Sequence, residues 1–342
     1  MKKYDVVIVG AGPGGLAAAK VLAENNKEVL VLEKNKIIGD KVCAGIINLK
    51  RFAIKLPHSI LQKKFSHVRF KTPLQDVRLD LNGECAATLD RKDLGDYMEK
   101  QAINSGAVIW KEKRVNQISK DSIILEDNKK IQFDYLIGAD GSNSIVRKYL
   151  NLKNEKLIDA IQYRLKGKIK ELEFQFNPVK LGPSYMWIFP YKNSFSIGAW
   201  GDLKKSRIVT IKEVKNYLDS YCNDHGIDLK NAKFEGATIN YDYRGHEFGN
   251  IFLVGDAAGF TPGLICDGIN PAILSGIDVA KKILDKNYEF DEIKRILRVK
   301  KIEEGILNSL ELSKILTEVE IEALVRLLKF KLVDKFVLDH ME

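Results

Sequence analysis

The residues best suited to hold a ligand lie at the start of the chain. Gly10-Ala11-Gly12-Pro13-Gly14-Gly15 satisfies G-x-G-x-x-G, and Glu33 stands 18 residues after Gly15. Gly10 permits a tight turn, Gly12 lets the backbone approach a pyrophosphate, and Gly15 lets a helix pack closely on a strand. The amino terminus of the helix that follows offers free N–H groups and partial positive charge to phosphates. Glu33 is placed to accept hydrogen bonds from ribose hydroxyls. An acid there disfavours a 2′-phosphate, so the expected dinucleotide is FAD or NAD rather than NADP.

Two later acids narrow the choice. Asp140 lies in Gly138-Ala139-Asp140-Gly141-Ser142-Asn143-Ser144-Ile145-Val146-Arg147, and Asp256 in Gly255-Asp256-Ala257-Ala258-Gly259. Each follows a continuous apolar run, and ligands of open α/β sheets bind beyond the carboxyl ends of such strands. Asp256 is placed to bond a ribityl hydroxyl while the next helix presents N–H groups to a flavin. Asp140-Gly141 taken alone reads equally as a plain turn.

The elements that must position these residues follow from hydrophobic pattern. Residues 4–9, YDVVIV, predict a strand buried on both faces. Leu16, Ala19, Leu22 and Ala23 keep helical spacing, and residues 28–34 predict a second buried strand. This is the compact βαβ unit. A helix is expected over 91–105 and buried strands over 133–139 and 250–255. Residues 185–190 and 194–200 flank Tyr191-Lys192-Asn193 as a hairpin. No proline follows Pro271, and the composition beyond it turns helical. The expected class is α/β. A discontinuous Rossmann-like domain covers 1–150 and 249–290, with a small insertion near 50–90. An antiparallel-sheet substrate domain is inserted at 151–248, and a helical segment covers 291–342.

Together the three motifs resemble the FAD-dependent fold of the aromatic hydroxylase superfamily. Within it the chain is similar to the geranylgeranyl reductase family. That similarity rests on Gly39-Asp40-Lys41-Val42-Cys43-Ala44-Gly45, on Tyr185-Met186-Trp187-Ile188-Phe189-Pro190, and on the pattern from Gly255 to Gly276. The resemblance implies FAD contacts at Gly14, Glu33, Cys43, Ala44, Arg91, Val115, Asp256, Gly268 and Ile269. It also implies saturation of C=C bonds in the geranylgeranyl chains of a lipid precursor. Two departures stand out. Pro183 precedes Tyr185 by two residues where the family usually has three, and the carboxyl-terminal region is shorter.

The residues themselves agree in part. Cys43 follows a glycine-rich stretch where a crevice residue belongs, and it is the residue to test first for a catalytic role. It reads equally as a small buried apolar side chain. Arg91 opens a helix where a guanidinium can hold a phosphate, or it is a solvated surface residue. Val115 can offer only backbone or apolar contact. Tyr185, Trp187 and Phe189 alternate and so share one face of a strand, where they line a slot for an apolar chain or form sheet core.

Composition bounds the alternatives. Fifty-five Lys plus Arg against 46 Asp plus Glu give a net charge of +9, spread along the chain rather than gathered into a nucleic-acid patch. No stretch approaches the roughly 18 uncharged apolar residues of a membrane span. The four-residue apolar run before Gly10 is too short for a signal-peptide core, so a cytoplasmic protein is expected. Residues 323–337 are apolar with interspersed cations, which suits either a cap on the core or peripheral contact with a membrane surface. Cys43, Cys85, Cys222 and Cys266 lie far apart, and the five histidines fall outside every motif, so no metal is expected. Only one G-x-G-x-x-G is present, so electrons are expected from a transiently docked NAD(P)H or from ferredoxin. Two other readings are an FAD monooxygenase of an aromatic or polyprenyl compound and a non-catalytic prenyl-lipid-binding or redox-sensing flavoprotein.

Overall fold

The computed structural model describes residues 2–202, 209–311 and 314–328. In chain order the helices are α1 (Pro13–Glu24), α2 (Arg91–Asn104), α3 (Ile145–Tyr149) and α4 (Pro178–Leu181). They continue with α5 (Ile211–Asp224), α6 (Ile269–Leu284), α7 (Asp291–Leu310) and α8 (Lys314–Leu327). The chain divides into two compact units. The first takes Met1–Lys41, Arg91–Leu157 and Ile239–Glu303; the second takes Val42–Asp90, Ile158–Thr238 and Glu304–Glu342.

The first unit is built on a parallel sheet. Strand β1 (Lys2–Val9) lies between β2 (Val29–Leu32) and the strand Lys130–Gly138. Ile251–Leu253 and Val108–Trp110 extend it in parallel on either side. Val6, Val7 and Ile8 are fully buried, as a continuous β-branched run in a sheet covered on both faces requires. Helices α1 and α6 cross backbone to backbone. A methyl group at Gly276 would collide with the carbonyl oxygen of Gly14, and one at Gly14 would sit 2.7 Å from that of Ala272. The α/β, Rossmann-like class expected from the sequence is the class observed.

The second unit holds a seven-stranded sheet whose middle is Leu157–Lys166, Ser194–Asp202, Tyr185–Pro190 and Glu173–Phe176. These four pair antiparallel in that order. The hairpin closes with the Tyr191 N–H donating to the Ser194 carbonyl at 2.7 Å. His67–Lys71 then joins Glu173–Phe176 in parallel, and Asp76–Asp80 forms the edge. Residues 67–80 thus supply two strands of this sheet, because backbone pairing ties them to it. Helix α5, opened by a Thr210–Glu213 capping box, covers one face. There Val214, Leu218 and Cys222 pack with Met186, Ile188, Ile197 and Ala199.

Among the described residues no helix is long and apolar enough to cross a membrane. Residues 329–337 of the segment suited to membrane contact lie outside the described residues.

Candidate functional site

Four parallel strands of the first unit deliver residues within three positions of their carboxyl ends to one end of the sheet. Gly10 follows β1, Glu33 follows β2, Asp140 follows Lys130–Gly138, and Asp256 follows Ile251–Leu253. Glu33 is buried and bonds backbone on both sides: Oε2 accepts the Ala11 N–H at 2.9 Å and Oε1 the Asn35 N–H at 2.8 Å. Each oxygen keeps lone-pair capacity for a hydroxyl. A polar cleft of about 440 Å³ opens beside it, lined by Lys34, Asn35, Lys36, Asp40, Glu112 and Arg114. Val115 is buried next to Arg114.

Asp256 is the electrostatic centre. Its Oδ2 lies 2.7 Å from the Lys41 Nζ and 3.3 Å from the Ser142 hydroxyl, and its Oδ1 accepts the Thr261 hydroxyl at 2.7 Å. Burial pushes this carboxyl up, but the Lys41 ammonium and the three hydrogen bonds outweigh it and hold the group below its ordinary range. The Asn240 side-chain amide donates to the Asp256 carbonyl at 2.8 Å. Gly268 caps α6 with no side chain of its own. A methyl group there would lie 2.6 Å from the Thr261 Oγ1 and 3.3 Å from the Asp256 Oδ1, so glycine lets the helix start close to the acid. Ile269 is the first residue of α6 and is buried.

The Asp140–Arg147 motif forms a frame for this acid. Asp140 Oδ2 accepts the Ile145 N–H at 2.6 Å, and burial raises its carboxyl above the ordinary range. Arg147 is wholly buried and donates to the carbonyls of Lys153 and Asp242 at 2.7 Å and of Ala257 at 3.2 Å. Arg91 opens α2, and its buried Nε has no hydrogen-bond partner among the described residues. Lys41, Ser142 and Thr261 were not singled out from the sequence, although all three lie inside or beside the quoted motifs.

In the second unit the Tyr191 hydroxyl donates to the Ala44 carbonyl. Tyr191 comes directly after Tyr185–Pro190, so that strand and the Cys43-Ala44 segment are brought together. Cys43 is half-buried, and its Sγ accepts the Gly45 N–H at 3.3 Å. The Arg164 guanidinium lies 3.3 Å from the Tyr191 ring centre. Burial pushes the Tyr191 hydroxyl up to about 12, against the opposing pull of Arg164. Tyr185, Trp187 and Phe189 are all buried. Phe174 packs edge-on to Tyr185 at 5.3 Å and to Phe189 at 5.1 Å. The Trp187 indole donates to the Ser196 hydroxyl at 3.2 Å, whereas the buried Trp200 Nε1 has no partner among the described residues.

The residues of the first unit fit a bound dinucleotide. Gly10, at φ 102°, and Gly15 are demanded by the fold, since a methyl group on either would collide with backbone. Gly12 is different. Its φ is −69°, and a methyl group there would meet nothing nearer than the Ala139 carbonyl at 3.7 Å. The protein itself leaves that position free, as close approach of a phosphate requires. The unpartnered Arg91 Nε is a second donor suited to an anion.

Fold and site together define a flavin-type dinucleotide-binding protein. The sequence profile of the FAD binding domain family matches residues 3–287, so the chain belongs to that family and FAD is its cofactor. An uncharacterized protein of Methanosarcina barkeri is 31% identical over 330 residues, covering 92% of this chain and 82% of its own. A digeranylgeranylglycerophospholipid reductase of Thermoplasma volcanium is 27% identical over 323 residues, covering 84% and 80%. A geranylgeranyl bacteriochlorophyll reductase-like protein of Thermoplasma acidophilum shares the fold, with a TM-score of 0.80 at 21% identity over 96% of this chain and 92% of that one. The kinship expected from the motif-bearing segments is the kinship found, and the chain is an FAD-dependent oxidoreductase.

Proposed function

We propose that the protein saturates isolated C=C bonds in the geranylgeranyl chains of lipid precursors, as the name of its Thermoplasma volcanium relative suggests. The observation that carries this reading is the buried Tyr185-Trp187-Phe189 row running directly into Tyr191, whose hydroxyl holds the Cys43-Ala44 segment. A polyprenyl chain offers shape and apolar area but almost no hydrogen bonds, and aromatic faces suit it.

Bound FAD supplies the two-electron chemistry. The chain's own residues bind and orient. Gly12, Gly14 and the amino end of α1 receive the pyrophosphate, with Arg91 as a further donor. Glu33 takes the ribose hydroxyls, and Val115 gives apolar contact near the adenosine end. Asp256 bonds the ribityl chain, while Gly268 presents its N–H at the start of α6 and Ile269, whose N–H donates to Asp267, gives contact beside it. Cys43 and Ala44 keep the cofactor role that the family resemblance implies. An isolated alkene has no carbonyl to polarise, so positioning and water exclusion are the protein's main contributions. Cys43 is the first residue to test for a part in the protonation. Electrons arrive from a transiently docked nicotinamide nucleotide or from ferredoxin. Exposed Leu316, Val319, Leu324 and Leu327 on α8 suit peripheral contact with a lipid surface.

The test is incubation of the dithionite-reduced protein with geranylgeranyl-glycerophospholipid under argon, followed by mass spectrometry. The reading predicts a product heavier by two hydrogens per saturated bond. A product that appears only in air and carries added oxygen would contradict it and favour a monooxygenase.

A further inference from the structure

The face of α7 turned toward the Asp256 loop carries two buried charged residues that no motif predicted. Lys300 is 4% exposed, and its ammonium donates to the carbonyls of Tyr241 at 2.7 Å and Thr261 at 3.0 Å. Glu303, one turn further, is 5% exposed, and its Oε2 accepts the Ile265 N–H at 3.3 Å. Residues three apart share a helix face, so one side of α7 grips the loop at both 261 and 265. Both residues lie beyond the 3–287 span matched by the family profile.

The gripped stretches both lead to Asp256. Thr261 bonds the carboxylate by its hydroxyl, and Asn240, next to Tyr241, bonds the Asp256 carbonyl. The loop between is under strain. Cys266 has φ 60°, in the left-handed region that non-glycine residues hold only when their surroundings enforce it. Its N–H donates to the Pro262 carbonyl at 3.2 Å. Two residues later Gly268 starts α6 against Thr261. An apolar side chain could fill the volume of Lys300 without desolvating a charge, so the ammonium is explained by the carbonyls it ties.

We infer that Lys300 and Glu303 are positioning residues that brace the 261–268 loop, holding strained Cys266 and aiming the Thr261–Ile269 stretch at the cofactor. The inference rests on the proposed placement of FAD beside Asp256. It concerns the unliganded protein as well, where the brace must already be set.

The experiment compares K300M, E303L and E303Q with wild type, and uses K301A on the exposed side of α7 as a control. FAD dissociation constants are measured by flavin fluorescence, and amide exchange of 261–268 is followed in FAD-free protein. K300M and E303L are expected to bind FAD about tenfold more weakly. In both, exchange in 261–268 rises while the rest of the sheet stays protected. E303Q keeps wild-type values because its amide oxygen still accepts the Ile265 N–H. Adding C266G to K300M restores part of the affinity, since glycine takes φ 60° without strain; a role in stability alone would show no such rescue. Folded K300M and E303L with wild-type affinity and exchange would overturn the inference. If K300M does not fold, equal affinities for E303L and E303Q would overturn it instead. Wild-type protein that takes up no FAD would contradict the cofactor placement, and exchange in FAD-free variants would still decide the brace.

Discussion

The glycines of the two units answer demands that differ only in part. In the first unit Gly10, Gly15 and Gly276 each bring backbone closest to a backbone carbonyl, which cannot yield as a side chain can. In the second unit a methyl group at Gly198 would meet the indole of Trp187 opposite as well as the Ile161 carbonyl, and one at Gly45 would meet the Leu89 carbonyl as well as the Tyr191 hydroxyl at 2.9 Å. A contact between backbones fixes residue type and spacing together. A contact with a side chain trades volume, and many sequences can satisfy it. The Gly10–Gly15 turn therefore reads as a motif, whereas the Tyr185–Pro190 strand reads as a period-two alternation.

Replacement of a buried ring in the second unit should cost most. Trp187→Ala removes a buried indole and is expected to lower stability by about 3–5 kcal/mol in urea unfolding. A loss below about 1 kcal/mol would mean that the row is not a packed surface. Next comes the contrast between Gly15→Ala and Gly12→Ala. The first forces backbone apart and should cost ~3 kcal/mol of stability. The second should leave stability within about 1 kcal/mol while weakening FAD binding about 100-fold. Equal behaviour of the two variants would erase the distinction between fold glycine and ligand glycine.

Tyr191 gives a pH test confined to the second unit. Its hydroxyl is raised from 10.0 to about 12, so the native state holds this proton over a range where the unfolded chain has lost it. The contribution is present in full below pH 10 and is lost as pH rises toward 12. Relative to Tyr191→Phe, wild type should lose up to about 3 kcal/mol across that window. Parallel stability profiles would show that the hydroxyl is not buried. The smallest effect is expected for Cys43→Ser, which should slow lipid turnover at saturating substrate by about tenfold and leave the bound-flavin spectrum in place.

Legibility followed the same division. The β1–α1–β2 unit could be read residue by residue because Gly10, Gly15 and Glu33 are bound by backbone geometry. The Tyr185–Trp200 hairpin was legible from alternation and its short turn. The parallel pairing of His67–Lys71 with Glu173–Phe176 was not, since neither strand carries a mark of its distant partner. Lys41 and Lys300 were equally hidden. A lysine in a sequence reads as a solvated cation, and only the fold places one against Asp256 and the other against two buried carbonyls.

The central claim is the proposed reaction, in which electrons held on FAD are passed to the C=C bonds of a geranylgeranyl chain. The most direct measurement is stopped-flow absorbance of the pre-reduced protein, mixed without oxygen with geranylgeranyl-glycerophospholipid. The account predicts flavin reoxidation at a rate that rises with lipid and then saturates. Flavin that stays reduced at every lipid concentration until air is admitted would contradict it.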